Sequence, residues 1–488
     1  MTFEFQHSYA EELDGLYVEV APSGFSAPRL SALNEGLCGE LGLSAPELRE
    51  HGAGWLSGSE LPTGARPIAQ AYAGHQFGNL SPQLGDGRAM LLGEIIDARG
   101  QRLDVQLKGS GRTPFSRGGD GLAALGPMLR EFLVSESMHA LGIRTTRSLA
   151  VVTTGESVQR NRELPGAVLT RIASSHIRVG TFQYFAVRND LEKLSRLCDY
   201  TIARHYPEIA ADDNPPLALL RKVTSVQMHL VAQWMLVGFV HGVMNTDNVS
   251  IAGEAIDYGP CAFMEAYDPT TVFSSIDHGG RYAYGNQPVI ARWNMARFAE
   301  TLLPLIDADL ERAVDACSQV LQQAEGIYER AWTQGMLRKI GLGTDGNDEE
   351  QIHLARMLLA RMQSRSADFT NAFRALAKWL RGDLTDAERL LNADGAFGEW
   401  FREWMSALKN EGRELNAIAN DMDRVNPIYI PRNQKVEEAL AAAEAGEPAL
   451  FLRLFDVLRR PYDENNANMD YAKPAPENFG SYVTFCGT

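Results

Sequence analysis

Cysteine is scarce in this 488-residue sequence, which contains five. The five are scattered, and none lies in a Cys-x-x-Cys pair of the kind that holds zinc or cycles between thiol and disulfide. Because disulfide frameworks belong mainly to secreted proteins, the default expectation is a reduced, cytoplasmic protein. The cysteines are Cys38, Cys198, Cys261, Cys317 and Cys486.

Long hydrophobic runs are also missing. The most apolar short run, Trp234–Val240, is far shorter than the roughly 20 residues that cross a bilayer as a helix. The N-terminus, Met-Thr-Phe-Glu-Phe-Gln-His, has neither a basic flank nor an apolar core, so no signal peptide is expected. The sequence therefore predicts no membrane partner.

Positive charge is in deficit, since 46 Lys and Arg stand against 62 Asp and Glu and the net charge is −16. Phosphate backbones require a positive footprint, so we expect no nucleic-acid partner, although a small anion could still bind in a locally basic pocket. Lysine is rarest, with 8 residues against 38 arginines, and Lys108 is the only lysine before Lys193. Genome composition could cause this imbalance, but a lone lysine among arginines also suggests that a compact ammonium is required at that position.

The most informative stretch that is present covers residues 241–260. Short apolar segments at Val249–Ala252 and Ala255–Ile256 flank Gly253-Glu254, which predicts a tight hairpin. Such a hairpin would bring Asn248 and Asp257 to one open end, where their oxygens suit Mg²⁺ or Mn²⁺ together with nucleotide phosphates. For either residue alone, a role in a turn is the simpler interpretation.

The spacing of this stretch resembles the protein-kinase signature His-Arg-Asp-(x)4-Asn followed by Asp-Phe-Gly. Aligned on His241, the motif places Asn248 and Asp257 at the two metal-binding positions. Val243 falls where the catalytic aspartate belongs, and a valine cannot accept a proton. The predicted metal site is present, but the usual base is missing.

Two glycine-rich, basic segments precede this stretch. Gly85-Asp-Gly87-Arg88 opens a predicted strand (89–95), and a second strand (102–108) ends at Lys108. The segment 109–121 then ends in Asp120-Gly121. Glycines allow backbone N–H groups to approach phosphates, although ordinary turns and a solvated loop would also account for both segments.

Three further charged residues fit a nucleotide site. Glu131 lies on a predicted helix (125–141), and a strand lysine paired with a helix glutamate is how kinases position the lysine on phosphates. Arg171 and Arg178 are seven residues apart, and guanidinium groups suit phosphate oxygens. Alternatively, Glu131 could be a solvated helix carboxylate, and the two arginines could bind surface carboxylates.

The order of predicted elements gives an α+β fold. Strands at 89–95, 102–108, 148–153 and 167–172 would form a small sheet, preceded by a short strand (17–20) and a helix (31–41). Helix is expected from 191, including a long helix over 217–240 before the 241–260 stretch, and again from 292 almost to 457. This matches a bilobed protein-kinase-like organisation with a small sheet-bearing N-lobe and a large, mainly helical C-lobe. The expected parts are an N-terminal cover (1–70), the N-lobe (71–188), the helical C-lobe with the metal site (189–457) and a C-terminal tail (458–488).

Several long motifs, in order, resemble the selenoprotein O family over nearly the whole chain. They include Ala-Tyr-Ala-Gly-His-Gln-Phe-Gly (71–78), Gln-Leu-Gly-Asp-Gly-Arg-Ala (83–89), Leu-Lys-Gly-Ser-Gly-Arg-Thr-Pro-Phe-Ser-Arg-Gly-Gly-Asp-Gly (107–121) and His-Gly-Val-Met-Asn-Thr-Asp-Asn (241–248). Residues 165–180 and 277–288 match as well. The resemblance implies a kinase-like protein that transfers AMP from ATP, with UTP as a further option, to Ser, Thr or Tyr hydroxyls of proteins.

The resemblance also implies a role for each site residue. Asp247 would be the general base, Asn248 and Asp257 would hold Mg²⁺, and Glu131 would orient Lys108. Cys486, third from the end where many animal members carry selenocysteine, would have a redox role, with Cys261 as a partner only through its nearness to the site. The residues implied to bind nucleotide are Gly85, Gly87, Arg88, Lys108, Asp120, Gly121, Arg171, Arg178 and Asp257.

Alternatives to AMP transfer remain open. An atypical kinase would use the same metal ligands and the same Lys108–Glu131 pair. A catalytically inactive nucleotide-binding scaffold would account for Val243, and Asp247 would then be a charge near the metal.

Overall fold

A computed structural model of the chain describes residues 3–343, 349–391 and 396–485. Its strands are β1 Tyr17–Glu19, β2 Arg29–Leu33, β3 Ile68–Gln70, β4 Gly74–Gln76, β5 Asn79–Ser81, β6 Ala89–Ile96, β7 Arg102–Lys108, β8 Arg147–Gln159, β9 Glu163–Ala173, β10 Phe239–Val240 and β11 Ala262–Phe263. The first helices are α1 Ser8–Glu12, α2 Glu35–Glu40, α3 Ala45–Ser57, α4 Leu125–Ala140, α5 Val179–Ala186, α6 Leu191–His205, α7 Pro215–Val237 and α8 Gln287–Ile306. The remaining helices are α9 Leu310–Lys339, α10 Glu349–Ser364, α11 Phe369–Leu380, α12 Thr385–Leu391, α13 Ala396–Asn410, α14 Leu415–Val425, α15 Asn433–Glu444 and α16 Ala449–Leu458.

Seven strands form one antiparallel sheet in the order β1-β3-β6-β7-β9-β8-β2. At its centre, the predicted β6–β7 hairpin is confirmed. The Asp97 side chain accepts hydrogen bonds from the backbone N–H groups of Arg99 and Gln101 in the turn. The register pairs Ala89 with Lys108, so the end of β7 lies beside the glycine-rich segment before β6.

Helix α4 packs on the sheet and agrees closely with the predicted helix. Its Leu129, Phe132 and Leu133 are completely buried, as the apolar stripe requires. Glu131, next to that stripe, is also buried, at 2% exposure. A buried carboxylate needs a cationic or hydrogen-bonding partner, which directs attention to what Glu131 contacts.

The helical part begins at α5 and is built around α7. Asn214 caps the start of α7 by accepting from the Leu217 N–H, and Pro215 occupies its first turn. The helix ends at Gly238, whose φ of 72° is the left-handed conformation typical of a C-terminal cap. The predicted helix over 217–240 is therefore shortened, and Phe239–Val240 instead pairs as β10 with β11.

Two local predictions are wrong. The predicted helix over 31–41 is strand β2 followed by α2, because Asn34 ends the strand and caps the helix. The predicted hairpin over 249–256 is a single turn, in which the Gly253 N–H bonds the Ser250 carbonyl at 3.1 Å. The backbone of this segment instead forms hydrogen bonds with residues distant in sequence. The Ile251 N–H donates to the Ile177 carbonyl at 3.0 Å, and the Ala255 N–H donates to the Arg144 carbonyl at 3.0 Å.

The predicted α+β class is confirmed by a sheet-bearing part followed by a helical part. Residues 1–70, expected to form a cover, contribute β1, β2 and β3 to the main sheet. Within the described ranges, no helix is both long and apolar enough to cross a bilayer.

Candidate active site

A cavity of about 450 Å³ lies between the sheet, the 109–121 loop and the segment 243–260. The predicted site residues that line it are Gly85, Gly87, Arg88, Lys108, Asp120, Gly121, Arg171, Arg178, Asp247, Asn248 and Asp257. Glu131 lies behind the lining and contacts it through Lys108. The structure thus brings together, in one cavity, residues that the sequence separates by more than 170 positions.

Lys108 is at the centre of the ionic contacts. Its Nζ lies 2.7 Å from Glu131 Oε2 and 2.8 Å from Asp257 Oδ1. The side chain is 10% exposed, so both contacts are shielded from water. The predicted lysine–glutamate contact is therefore present, and its role on phosphates stays a prediction.

Asp257 is held by three cations. Besides Lys108, its Oδ1 accepts from Arg171 Nη2 at 2.7 Å, and its Oδ2 accepts from Arg178 Nη1 at 3.3 Å. Burial alone would raise the pKa of the Asp257 carboxyl, but the three cations outweigh it and hold the pKa well below its usual range. The residue also has a φ of 64°, a left-handed conformation that is costly for a non-glycine residue and is found at functional sites.

The two predicted arginines differ in what they contact. Arg171 is 1% exposed and is already bound to carboxylates, since its Nε donates to Glu131 Oε1 at 3.0 Å and its Nη2 to Asp257. Arg171 therefore links the Glu131 and Asp257 carboxylates, and these contacts already occupy its guanidinium. Arg178 stacks over the Tyr72 ring at 4.5 Å, and its Nη1 donates to the Asp247 carbonyl at 2.9 Å.

Asp247 lies in a single 3-10 turn, Thr246–Asn248, and is 8% exposed. Its Oδ2 accepts from Gln76 Nε2 at 3.3 Å, whereas its Oδ1 is buried without a hydrogen-bond partner. Burial raises the pKa of the carboxyl to about 6. Perturbed carboxyl groups in a cavity are typical of groups that exchange protons.

The donor set fits a magnesium ion. Asn248 and Asp257 line the same cavity, Asp257 is ionised, and the Asn248 Nδ2 donates to the Val243 carbonyl at 3.0 Å, which leaves its amide oxygen for a cation. Carboxylate and amide oxygens are the hard ligands that Mg²⁺ accepts when phosphates complete its coordination. Among the described residues, no cluster of three or more His, Cys, Asp or Glu could bind a metal by itself.

The glycine-rich segments pack against each other. A Cβ on Gly85, whose φ is 115°, would lie 2.4 Å from the Phe115 ring, and one on Gly87 would lie 2.9 Å from the Phe115 carbonyl. Gly121, with a φ of 73°, would likewise meet the Gly111 carbonyl. These glycines are therefore required for the close approach of the two loops, in addition to any phosphate contact.

Several lining residues were missed by the sequence interpretation. Asp86, between the two motif glycines, is buried, and burial raises the pKa of its carboxyl to about 6. Arg160 donates from Nη1 to Asp120 Oδ2 at 2.7 Å and from Nη2 to Oδ1 at 3.1 Å. Among the residues that the structure describes, six cationic and four acidic side chains line the cavity, so an acidic protein carries a locally positive site. The Gly-Asp-Gly motif pointed to Asp86, but no sequence signal pointed to Arg160.

The cysteines give little support for redox chemistry within the described residues. Cys261 is completely buried, its Sγ lies 3.3 Å from the Tyr258 carbonyl, and burial raises the pKa of its thiol to about 12. A thiol of this kind is inert because the thiolate is the reactive form. Cys486 lies outside the described residues, and its redox role stays a prediction.

Comparison with known proteins identifies the family of this chain. A family model described as "Protein adenylyltransferase SelO" matches residues 1–459. A protein nucleotidyltransferase YdiU from Cereibacter sphaeroides is 56% identical over 490 residues, covering 100% of both chains. Proteins of the same name from Sphingopyxis alaskensis and a Mycobacterium species are 52% identical over 493 residues and 55% identical over 482 residues, covering 98% or more of each chain. The chain is a nucleotidyltransferase and belongs to the SelO family.

Proposed function

We propose that the protein transfers AMP from ATP to Ser, Thr or Tyr hydroxyls of other proteins, on a bilobed kinase-like fold. One observation carries the proposal. Asp247, a carboxylate, lines the same cavity as Lys108 and Asp257, while Val243, which also lines it, stands where a kinase has its base. The family description "Protein adenylyltransferase" supports the same reaction.

The reaction balances with the groups present. The acceptor hydroxyl gives its proton to Asp247 as its oxygen bonds to the α-phosphorus of ATP. The bond from that phosphorus to the bridging oxygen of the β-phosphate breaks, and pyrophosphate leaves with the electron pair. Lys108, Arg88 and Arg178 line the cavity and would attract this negative charge, as preorganised cations do in transition states.

Asn248 and Asp257 would hold Mg²⁺, or Mn²⁺, through their side-chain oxygens. When bound, the metal neutralises charge on phosphate oxygens. Lys108, Arg171 and Arg178 already surround Asp257, and they keep its carboxylate ionised.

The deciding experiment follows which phosphate reaches protein. Purified protein with Mg²⁺ and ATP is incubated alone and with a bacterial protein extract. Label on the α-phosphate should enter protein and label on the γ-phosphate should not, with a gain of one AMP in intact mass. Asp247→Ala should lower incorporation by about 10²–10⁴-fold, the usual contribution of a general base.

An atypical kinase is the second candidate, because the Lys108–Glu131 contact and Asp257 would serve phosphoryl transfer equally well. Incorporation of the γ-label alone would establish it. Incorporation of neither label, despite measurable ATP binding, would favour an inactive scaffold.

A further inference from the structure

The β4–β5 hairpin spans residues 74–81 and contributes Gln76 and Phe77 to the cavity lining. Its two strands pair from Gly74–Ser81 to Gln76–Asn79. The two turn residues, Phe77 and Gly78, have φ values of 50° and 87°. Positive φ at both central positions is typical of a tight type I′ turn, which holds the hairpin in one register.

Hydrogen bonds join the hairpin to the segment that carries Asp247. The His75 N–H donates to Thr246 Oγ1 at 2.7 Å, and the Phe77 N–H donates to Asn245 Oδ1 at 3.0 Å. Gln183 extends this contact, because its Oε1 accepts from Thr246 Oγ1 at 2.7 Å. The backbone of β4 is thereby held against residues 245 and 246.

Two residues of β4 then face the Asp247 carboxyl. Residues two apart on a strand lie on the same face, and Gly74 and Gln76 are two apart. Gln76 Nε2 donates to Asp247 Oδ2 at 3.3 Å. A Cβ on Gly74 would lie 2.4 Å from Asp247 Oδ1 and 2.9 Å from its Cγ.

Glycine at position 74 is not required by the backbone. Its φ is outside the left-handed region, and a glycine in a strand is less favourable than alanine. The missing side chain at position 74 leaves space for the Asp247 carboxyl.

We propose that Gly74 and Gln76 are positioning residues that fix the orientation of the Asp247 carboxyl toward the acceptor hydroxyl. Gly74 leaves room for Oδ1, and Gln76 holds Oδ2 by a hydrogen bond. This inference rests on the proposed AMP transfer. A shift of the base by about 1 Å can cost roughly 10²-fold in rate, so both residues control turnover through the orientation of Asp247.

The test uses Gly74→Ala and Gln76→Met in the full-length protein. Gln76→Met keeps the side-chain length and removes the amide donor. Both variants should transfer the α-label about 10²-fold more slowly at saturating ATP, with the dissociation constant for ATP unchanged in calorimetry. Gly279→Ala is the matched control, since a Cβ there meets nothing within 4 Å.

A double-mutant cycle separates positioning from a general structural role. In the Asp247→Ala background, Gly74→Ala and Gln76→Met should cause no further loss, because the group they orient is absent. Wild-type rates in both single variants would overturn the inference, as would parallel loss of ATP affinity or an undiminished effect in the Asp247→Ala background. A wild-type protein that incorporates no α-label would overturn the proposed function itself.

Discussion

Glu131 on helix α4 and Asp257 between β10 and β11 are joined through the same two cations, Lys108 and Arg171. The sheet-bearing part therefore contacts Asp257, the proposed metal ligand, through ion pairs and not through apolar packing alone. Removal of one charged side chain from such a buried group leaves the opposite charges without that partner. This relationship determines what substitutions at the site should do.

Asp257→Ala should abolish nucleotide transfer and also destabilise the protein. The substitution removes a carboxylate that is only 23% exposed and deprives its three cationic partners of that contact. We therefore expect the free energy of unfolding to fall by about 1–3 kcal/mol. Urea denaturation and α-label incorporation measure the two effects. Substitution of exposed Asp213 by alanine is the control, and unchanged activity with unchanged Mg²⁺ dependence in Asp257→Ala would contradict the metal assignment.

Lys108→Arg should not restore the function of the lysine. The ammonium fits between two carboxylates at 2.7 and 2.8 Å, and a planar guanidinium on a longer side chain cannot occupy that space. Transfer should fall to the level of Lys108→Met. Lys222→Arg, which changes an exposed lysine paired with Glu208 at 3.0 Å, should retain the wild-type rate. A fully active Lys108→Arg enzyme would remove the basis for the kinase-like pairing.

Much of this site was predictable because its signals are local. The β6–β7 hairpin and helix α4 follow from short-range patterns of apolar residues and turns, and they bring Lys108 to Glu131. The turn at 250–253 was missed because its backbone pairs with residues 144–146 and 177–179, which are distant in sequence. For the same reason, no pattern indicated that β4 contacts Asp247 or that Arg171 would be bound by acids.

A buried lysine in the helical part predicts a pH effect on stability. Lys339 is 3% exposed, its Nζ lies 4.1 Å from the centre of the Phe373 ring, and burial lowers its pKa to about 7. Between that pH and the ordinary lysine pKa of 10.5, the unfolded chain binds a proton that the folded protein lacks. The contribution of Lys339 to stability should therefore rise with pH in this range, by at most about 1.4 kcal/mol per unit.

Lys339→Met should remove this dependence, because methionine buries no charge at any pH. The variant should exceed the wild type in stability at pH 6, and the difference should shrink as pH rises above 7. Urea denaturation at pH 6, 7, 8 and 9 measures the difference directly. A difference that stays constant over these values would show that Lys339 keeps an ordinary pKa in the fold.

The last prediction concerns Arg160, which only the structure indicates. Arg160 lines the cavity, and both terminal nitrogens of its guanidinium bind Asp120, so the side chain is oriented before any ligand arrives. Hydrogen bonds between charged groups contribute about 1.5–3 kcal/mol, so Arg160→Ala should weaken ATP binding by roughly tenfold or more. Arg162→Ala is the matched control from the same turn, since Arg162 is 74% exposed, does not line the cavity and pairs with Glu444 at 3.2 Å. Calorimetric titration with ATP should separate the two variants, and equal affinities would mean that Arg160 only holds the 109–121 loop in place.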